Sequence, residues 1–524
     1  MKYFSLILFN IVFIGITLVE SRRECIASKG HDSPYCVCNT TYCDDLDPIV
    51  KQPKGTVLVF ETNKKGDRLK QTELKVSTQY TETADESIVL TIDKNTKYQK
   101  IMGFGGAFTD ASGLNLKSLP QELATNVIKD YFSANGIEYN MCRVPIAGAD
   151  FSPRAYTYND QKDDFELKTF ALQKEDFDYK IPYIKMARNM SSHSLNLFAS
   201  PWASPAWMKT SGQINKGGFL IGNPGTKYYK TWANYFVKFL DAYKANGIEF
   251  WGMTVENEPG AGYNPNYGFN CLGFNETMER DFVKLDLGPA LKAAGYGRDK
   301  LNLMVFDDNG NKIINWADVC FNDKEMAQYI NGIAYHCYGN GAAKWWDVLE
   351  TVHQRHPDQF VISSECCQEF KILKPGTLMR LGVWGNSESY ARDIMDNLEH
   401  WTRGWVEWNF VLDMYGQPNW AHFSSEAPIL VNSTSKEYYK DPKFYILGHF
   451  SKFLAPDSVR VSIKPDKTVN DFNSVAFVRP DNATVVIVYN QRDIATDLII
   501  KDQTVGQIKT KIESRSIQTY IYWN

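Results

Sequence analysis

A chain of 524 residues is long enough for two or three domains with a sizeable buried core. Its formal net charge is only −4 and it has no long run of basic residues, so it lacks the electrostatic signature of a nucleic-acid-binding protein. Aromatic residues make up 14% of the chain, and Trp and Tyr rings can stack on sugars, although most aromatic side chains in any protein belong to the core.

The N-terminal residues 1–21 are predicted to be a secretory signal peptide. Lys2 precedes an apolar stretch over residues 4–19, and the small residue Ser21 lies near the expected cleavage point. An uncleaved membrane anchor is the alternative, but the apolar stretch is short for a helix that spans a bilayer. Five N-glycosylation sequences also favour passage into the secretory route: Asn39, Asn189, Asn275, Asn432 and Asn482.

Four cysteines crowd into the start of the predicted mature chain: Cys25, Cys36, Cys38 and Cys43. In an oxidising compartment they are expected to form two bridges, with three connectivities open. A zinc knuckle is the alternative, although no second paired-cysteine motif supplies tetrahedral spacing. The other six cysteines lie in apolar runs and are predicted to be buried thiols: Cys142, Cys271, Cys320, Cys337, Cys366 and Cys367.

Eight short apolar runs, each followed by a stretch with helical patterning, predict the central fold. They occupy residues 100–105, 139–144, 195–200, 250–255, 301–306, 332–336, 360–364 and 404–409. Eight buried strands alternating with helices are typical of an α/β protein with a (β/α)₈ barrel, in which chemistry takes place at the C-terminal strand ends. A doubly wound open sheet is the alternative, but no Gly-x-Gly-x-x-Gly opens a helix after the first strand.

The sequence on both sides of the barrel region has short β-type runs bounded by Asp, Asn, Gly and Pro. Neither flank is long enough for a complete sandwich, so residues 56–93 and 438–524 are predicted to pair as one discontinuous all-β sandwich domain. Residues 94–437 form the predicted catalytic barrel, and residues 22–55 form a small disulfide-bonded N-terminal segment.

Two carboxylates lie at predicted strand ends, Glu258 after the fourth strand and Glu365 at the seventh. Cleavage of a glycosidic bond needs such a pair, one acid to protonate the leaving oxygen and one to attack or stabilise the anomeric carbon. A sugar hydrolase is therefore the leading hypothesis. One rival is a catalytically idle sugar- or lipid-binding protein, which would have no need for both acids; another is a barrel enzyme acting on β-xylosidic or other β-glycosidic bonds.

Further polar and aromatic side chains lie at the ends of the second, third and fourth strands. Arg143 can hold Glu365 in its ionised form, or it can form a purely structural ion pair. Asp150 can accept hydrogen bonds from two sugar hydroxyls, although an Asp in a loop more often caps a turn. Trp202 lies between prolines and is expected to project into the cleft, and the Asn257 amide can hold a sugar hydroxyl beside the fourth-strand acid.

The sixth and eighth strands add three more candidates. Tyr338 can hydrogen-bond one of the two acids, Trp408 can form a floor under the sugar ring, and His336 lies beside them in a supporting place. Asp307 and Asp308 together with His336 are a conceivable metal set, which ranks below the carbohydrate interpretation. The sequence is therefore interpreted as needing no metal and no cofactor.

A series of motifs runs through nearly the whole mature length. It consists of Cys36-Val37-Cys38-Asn39, residues 103–110, Asp150-Phe151-Ser152, Ser200-Pro201-Trp202, Glu256-Asn257-Glu258-Pro259, Cys271-Leu272-Gly273-Phe274, Ser364-Glu365, Pro418-Asn419-Trp420 and residues 447–453. Through these motifs the chain resembles the lysosomal acid β-glucosidases of glycoside hydrolase family 30.

The resemblance implies a retaining enzyme that hydrolyses glucosylceramide in membranes to glucose and ceramide. It implies that Glu258 is the acid/base and Glu365 the nucleophile, and it implies two disulfide bridges, Cys25–Cys36 and Cys38–Cys43. It also implies a glucose pocket lined by these residues: Asp150, Trp202, Asn257 and Trp408. The charge of Glu365 is expected to raise the pKa of Glu258, which predicts an acidic optimum.

The expected surroundings are the lysosome lumen, with secretion as the alternative, an anionic lipid surface and a saposin-type activator protein. Loops 217–221 and 370–374 are predicted to form an apolar rim against lipid, with ordinary loop burial as the alternative. Three features depart from the family pattern, namely Cys337 in place of Trp, Cys366 in place of Ala and the loop 368–377. They put the lipid and activator specificity in doubt.

Overall fold

The computed structural model describes residues 22–78, 87–338, 345–374 and 376–524. The predicted signal peptide over residues 1–21 lies outside the described residues. Among the described residues, no helix combines the length and the apolar character that a membrane span requires.

Eight parallel strands form the central barrel, as predicted. They are Gly103–Gly106, Met141–Ile146, Asn196–Pro201, Gly252–Thr254, Asn302–Asn309, Gly332–His336, Phe360–Cys366 and Thr402–Glu407. From the second strand to the eighth each pairs with the next, and the eighth pairs with the first. A parallel bridge between Ala107 and Arg143 closes the ring between the first and second strands. All eight strands therefore point their C-terminal ends to one face.

Helices cover the outside of the barrel because their apolar residues recur every three or four positions. In Lys227–Ala245 the residues Tyr229, Trp232, Phe236 and Tyr243 recur at that spacing and are all buried. The other α-helices are Asp110–Ser118, Gln121–Phe132, Ile181–Met190, Glu276–Phe282, Gly288–Ala293, Ile313–Phe321, Lys324–Ala327, Trp345–Arg355, Trp384–Glu399 and Pro442–Ser451. Shorter 3₁₀ and π turns are Asp176–Lys180, Ala206–Met208, Pro259–Tyr263, Val283–Leu287 and Gly310–Lys312.

The two flanks of the chain pair with each other in one nine-stranded sheet, as predicted. Thr56–Asn63 lies antiparallel to Ser516–Trp523, and Ile88–Lys100 lies between Val459–Pro465 and Thr496–Asp502. The remaining strands of the sheet are Lys70–Lys75, Phe472–Val478, Ala483–Asn490 and Gly506–Ile512. Both flanks contribute to one apolar core that includes Val57, Leu90, Val486, Ile500 and Tyr520.

The edges of this sheet differ from the predicted boundaries. Ile88–Lys100 runs seven residues past 93 (100 − 93), and the first barrel strand begins at Gly103. After the barrel the sheet resumes at Val459, whereas the predicted boundary lay at 438. Helix Pro442–Ser451 lies in this interval, and all ten of its residues are buried. A helix buried on all sides shows no amphipathic period, which is why the sequence pattern did not reveal it.

The N-terminal segment is attached to the barrel by a small sheet. Strand Cys36–Asn39 pairs with Glu437–Lys440, which pairs with Ile429–Asn432, and that strand pairs with Val411–Asp413. The bridges Cys25–Cys36 and Cys38–Cys43 are both present, so these sulfurs are not free to act as zinc thiolates. A separate two-stranded ribbon joins Phe370–Lys371 to Ser424–Ser425.

The interpretation of the other six cysteines as thiols is wrong for two of them. Cys337 and Cys366 form a third disulfide, because the sixth and seventh barrel strands are neighbours and bring the two residues together with their Cα atoms 5.2 Å apart. The sequence shows only a separation of 29 residues and gives no sign of this pairing. The remaining four cysteines are buried thiols, as predicted: Cys142, Cys271, Cys320 and Cys367.

Candidate active site

Glu258 follows the fourth barrel strand and begins the turn Pro259–Tyr263. Its φ is +45°, in the left-handed region that is uncommon for a residue other than glycine and that recurs at functional sites. The backbone is held there by hydrogen bonds from Glu258 N to Asp307 O (2.9 Å) and from Ala261 N to Glu258 O (2.8 Å). This conformation directs the chain out of the strand at the carboxyl end of the barrel.

Glu365 is the inward-facing carboxylate of the seventh strand, Phe360–Cys366. The Arg143 guanidinium bonds directly to its Oε2, and the Tyr338 hydroxyl donates to its Oε1 at 3.0 Å. The side chain of Glu365 is 7% exposed, so these contacts replace most of its hydration.

The two acids face each other across the barrel mouth. Their nearest carboxylate oxygens, together with a ring nitrogen of His336, all lie within 4.8 Å of one another. Retaining glycosidases hold their carboxyl groups about 5 to 5.5 Å apart, whereas inverting enzymes separate them by about 6.5 to 9.5 Å to admit a water molecule. The separation observed here fits direct attack on a sugar.

Arg143 is a fully buried cation that connects four strand ends. Its Nη2 donates to Asn257 Oδ1 at 2.7 Å and to Asp307 Oδ2 at 2.6 Å, and its Nε donates to Ser200 Oγ at 3.0 Å. Its guanidinium carbon lies 4.7 Å from the centroid of the Trp202 ring. The charge of Arg143 is thus compensated by Asp307 as well as by Glu365.

His336 lies between two carboxylates. Its Nε2 is 3.1 Å from Asp307 Oδ1 and its Nδ1 is 3.3 Å from Glu258 Oε1. Burial lowers the pKa of His336, but the charge of Glu365 and the hydrogen bonds to Asp307 and Glu258 outweigh burial and raise this pKa to about 10. The imidazole is therefore a cation at neutral and acidic pH.

Asp307 acts as the anchor of this cluster. The hydroxyls of Ser200, Thr254 and Ser364 donate to it at 3.0, 2.6 and 2.5 Å, in addition to its contacts with Arg143 and His336. These contacts hold the pKa of Asp307 well below its usual range in spite of burial. Asp307 thus orients its charged neighbours.

The expected pKa order of the two acids is not the one that the structure has. Burial raises the pKa of Glu365, although His336 and Arg143 oppose this rise. Burial also acts on Glu258, but the hydrogen bond and charge of His336, and the Tyr267 hydroxyl donating at 2.8 Å, lower its pKa below the ordinary value. The proton therefore belongs to the pair of interacting acids, and Glu258 does not hold it preferentially.

The residues predicted to line the sugar pocket lie around the two acids. Trp202 and Trp408 stack on each other with ring centroids 5.1 Å apart, and the Arg143 guanidinium lies over both rings. Asp150 is buried and accepts a hydrogen bond from Asn419 Nδ2 at 3.1 Å, and burial raises its pKa well above the usual value. The predicted sugar-binding residues and the two acids therefore lie at one end of the barrel.

Two polar residues of this site were not found in the sequence as site residues. Tyr267 belongs to a loop nine positions beyond Glu258 and carries no local signal. Asn419, which contacts Asp150, lies in the stretch Pro418-Asn419-Trp420 that carried the family resemblance, and this was the available signal.

The five predicted glycosylation sites lie at or near the surface. Asn189 and Asn482 are exposed. The other three are partly buried: Asn39, Asn275 and Asn432. Glycosylation of these sites stays a prediction.

A (β/α)₈ barrel with two closely spaced carboxylic acids on its fourth and seventh strand ends is the arrangement of a glycoside hydrolase. Residues 101–454 match the model of the glycosyl hydrolase family 30 TIM-barrel domain, and residues 457–520 match the family's β-sandwich domain. The chain belongs to glycosyl hydrolase family 30.

Several known proteins are similar to this chain in sequence or in fold. The chain is 41% identical to the lysosomal acid glucosylceramidase of Mus musculus over 98% of both chains. It is 26% identical to the endo-1,6-β-D-glucanase BGN16.3 of Trichoderma harzianum over 75% of this chain and 78% of that one. Among solved structures, SrfJ from Salmonella typhimurium superposes with a TM-score of 0.79 and the endo-β1,6-glucanase BT3312 with 0.78, each at 25% identity over 90% of this chain and all of the other.

Proposed function

We propose that this glycoside hydrolase cleaves glucosylceramide to glucose and ceramide with retention of configuration, as part of sphingolipid breakdown. One observation carries the retaining mechanism, namely the close approach of Glu258 and Glu365 within 4.8 Å at the barrel mouth. The substrate follows from the 41% identity to an enzyme named as a lysosomal acid glucosylceramidase.

In the first step, Glu365 attacks the anomeric carbon while Glu258 gives its proton to the ceramide oxygen, so that ceramide leaves as an alcohol. A covalent glucosyl ester on Glu365 remains. Arg143 and Tyr338 hold the Glu365 carboxylate from one side, which leaves it oriented for attack. Glu258 lies on a different strand end, which suits it to protonate the leaving oxygen.

In the second step, Glu258 takes a proton from water while the water oxygen bonds to the anomeric carbon. The bond between that carbon and Glu365 breaks, which releases glucose and the Glu365 carboxylate. Each turnover therefore begins with one proton on the pair and ends with one proton on it. Activity requires this singly protonated form, so it falls both where the pair loses its proton and where it gains a second one. A bell-shaped pH profile follows.

The glucose ring is held by the pocket residues in this proposal. The Asn257 amide oxygen accepts from Arg143, which turns its Nδ2 group toward a sugar hydroxyl. Asp150 accepts from the hydroxyls farther from the scissile bond, and the stacked pair of Trp202 and Trp408 contacts the apolar face of the ring. His336 supports Glu258 and does not contact the sugar.

The ceramide part is proposed to meet the enzyme at an anionic membrane surface. The loop after the seventh strand exposes Phe370 by 40% and Ile372 by 74%, and it carries Lys371 and Lys374. Apolar side chains flanked by lysines suit insertion into a negatively charged bilayer. The second predicted rim loop, 217–221, contributes less, because Leu220 is buried.

The setting is proposed to be the lysosome lumen, reached through the predicted signal peptide, with secretion as the alternative. The name of the mouse relative and the predicted glycosylation sites support this setting. A saposin-type activator protein is the expected partner, because a two-chain lipid must be lifted part-way out of its bilayer before its sugar reaches the two acids.

The test is glucose release from glucosylceramide in micelles of anionic lipid at mildly acidic pH. We expect Glu365→Gln to lower kcat by about 10⁴-fold or more, because it removes the nucleophile. Glu122→Gln is the matched control, because Glu122 is exposed on helix Gln121–Phe132 and the same change there should leave turnover intact.

A covalent probe assigns the nucleophile independently of the lipid. A β-glucoside with fluorine at carbon 2 and a good leaving group should add one sugar to the wild-type protein, on the peptide that contains Glu365. A wild-type protein that cleaves β-1,6-glucan or a β-xyloside but not glucosylceramide would refute the substrate. Labelling of another residue would refute the assignment of Glu365.

A further inference from the structure

A disulfide lies at the ends of the two strands that carry His336 and Glu365. Cys337 comes directly after His336, the last residue of the sixth strand. Cys366 follows Glu365 and is the last residue of the seventh strand, and the two sulfurs are bonded. His336 and Glu365 form the last register pair between these strands. The bridge therefore joins the two chains directly after their final pair, where the sixth strand leaves the sheet.

The bridge lies behind the site and does not face the sugar. Successive side chains of a strand point to opposite faces, so His336 and Glu365 point inward while Cys337 and Cys366 point to the helix layer. In that layer Cys366 Sγ lies 3.9 Å from Asp393 Oδ2 of helix Trp384–Glu399. Both cysteines are buried.

The residue next to the bridge holds Glu365. Tyr338 donates its hydroxyl proton to Glu365 Oε1 at 3.0 Å, and its ring packs edge-on against His336 with centroids 5.9 Å apart. The backbone hydrogen bond at this level, from Cys337 N to Glu365 O, is 3.2 Å long. The two strand ends are therefore linked both by this hydrogen bond and by the disulfide.

We propose that the Cys337–Cys366 bridge is a positioning device that keeps the Tyr338 hydroxyl at donor distance from Glu365. This inference rests on the proposed retaining mechanism, in which Glu365 is the nucleophile. When the bridge is open, the two strand ends separate, Tyr338 loses its hydrogen bond and Glu365 loses part of its orientation. The loss affects the chemical step and leaves the sugar-binding residues in place.

A bridge that served stability alone would give a different result. Closing a loop of 29 residues restricts the unfolded chain, so its loss would lower the melting temperature of the protein. It would not change kcat of the folded enzyme, nor the pH profile. These two readouts distinguish a positioning role from a purely structural one.

The first test compares Cys337→Ala/Cys366→Ala with Cys25→Ala/Cys36→Ala, which removes a bridge of the N-terminal segment instead. On a soluble aryl β-glucoside we expect the first pair of substitutions to lower kcat about 10- to 100-fold with little change in KM, because a small misplacement of a reacting group is costly. The acid limb of the pH profile of this double variant should move to higher pH, since Tyr338 no longer stabilises the Glu365 carboxylate. The control should keep the wild-type kcat and profile.

The second test asks whether the bridge acts through Tyr338. In a Tyr338→Phe background, opening the bridge should have little further effect on kcat, because both changes remove the same hydrogen bond. Full additivity of the two losses would overturn the inference, and so would a folded bridge-free enzyme with the wild-type kcat.

Mild reduction of the folded wild-type enzyme covers the case in which the double variant does not fold. Alkylation and peptide mapping identify the protein in which Cys337 and Cys366 are open, and its kcat is expected to fall as in the variant. An unchanged kcat in that opened protein would contradict the inference. The wild-type rate in the same assay tests the proposed function separately, since a wild-type protein with no β-glucosidase activity refutes that function itself.

Discussion

At the residue scale, the two acids of the site differ in the groups that touch them. Glu365 is bonded by Arg143 and Tyr338, whereas Glu258 is bonded by His336 and Tyr267. A carboxylate is stabilised by each donor and each cation that reaches it, so these partners set the pKa of each acid. The chemistry of the pair depends on contacts that come from several different strand ends and loops.

Tyr267→Phe tests this dependence. The hydroxyl of Tyr267 favours the ionised form of Glu258, so its removal should raise the pKa of Glu258 and move the alkaline limb of the kcat/KM profile up by about one pH unit. The measurement is kcat/KM against pH with a soluble aryl β-glucoside. Tyr263→Phe is the control, because Tyr263 lies in the preceding turn and is 54% exposed. An alkaline limb that stays at the wild-type pH would contradict the prediction.

Among single elements, the strand ends carry the two acids, and the loops that follow them are proposed to set the specificity. The loop after the seventh strand is the clearest case, because it leaves the barrel next to Glu365 and then exposes Ile372. Phe370 at its base stacks on Phe423 with ring centroids 4.9 Å apart, which anchors the loop to a neighbouring one. Ile372 is thus presented to solvent from a fixed base.

Ile372→Ser should separate lipid binding from chemistry. We expect weaker flotation with vesicles of anionic lipid and slower hydrolysis of vesicle-bound glucosylceramide, with an unchanged rate on a soluble glucoside, because the role proposed for this exposed side chain is contact with lipid. Ile494→Ser is the matched control, since Ile494 is 56% exposed but belongs to the sheet domain. Equal flotation of the two variants and the wild type would contradict the proposed insertion of this loop into the bilayer.

At the scale of the whole molecule, buried acids make stability depend on pH. Burial raises the pKa of Asp130 to about 6, that of Glu399 to about 7 and that of Glu279 to about 8. A carboxyl group with a raised pKa in the folded state stabilises fully below its unfolded pKa, and this contribution is lost as the pH rises through the folded value. The raised pKa of His336, about 10, acts in the same direction.

A buried neutral histidine acts in the opposite direction. Burial lowers the pKa of His449 to about 3, so its contribution to stability is complete above the ordinary value of 6.5 and is lost as the pH falls below it. Above pH 6.5, the contributions of Glu399, Glu279 and His336 to stability continue to decline as the pH rises, whereas that of His449 no longer changes. The free energy of unfolding is therefore expected to fall from mildly acidic toward alkaline pH.

Glu399→Gln tests the sign of this effect. The substitution removes one group that must ionise in a partly buried place, so the variant should melt at a higher temperature than the wild type above about pH 7 and at nearly the same temperature below pH 4.5. The measurement is the melting temperature across this range. Glu122→Gln, an exposed change of the same kind, should show no such trend. A difference between Glu399→Gln and the wild type that does not vary with pH would contradict the prediction.

The sequence predicted much of the architecture because strand and helix patterns are local. Apolar runs of four to eight residues revealed all eight barrel strands, and the β-type flanks revealed the second domain. It did not reveal helix Pro442–Ser451 at the domain boundary, because all ten residues of that helix are buried and no face is polar. Sequence periodicity reveals a helix only where one face is buried and another is exposed, and this helix has no exposed face.

From the sequence alone we predicted the class of fold, Glu258 and Glu365 as the acid pair, and Arg143 and His336 as residues beside them. These depend on residue types and on their places at strand ends. Only the tertiary structure decided that Cys337 bonds to Cys366, that His336 is held between Asp307 and Glu258, and that the pKa of Glu258 is lowered. The physical reason is that these contacts join strands distant in the sequence, whose register and mutual distance are set only when the barrel closes.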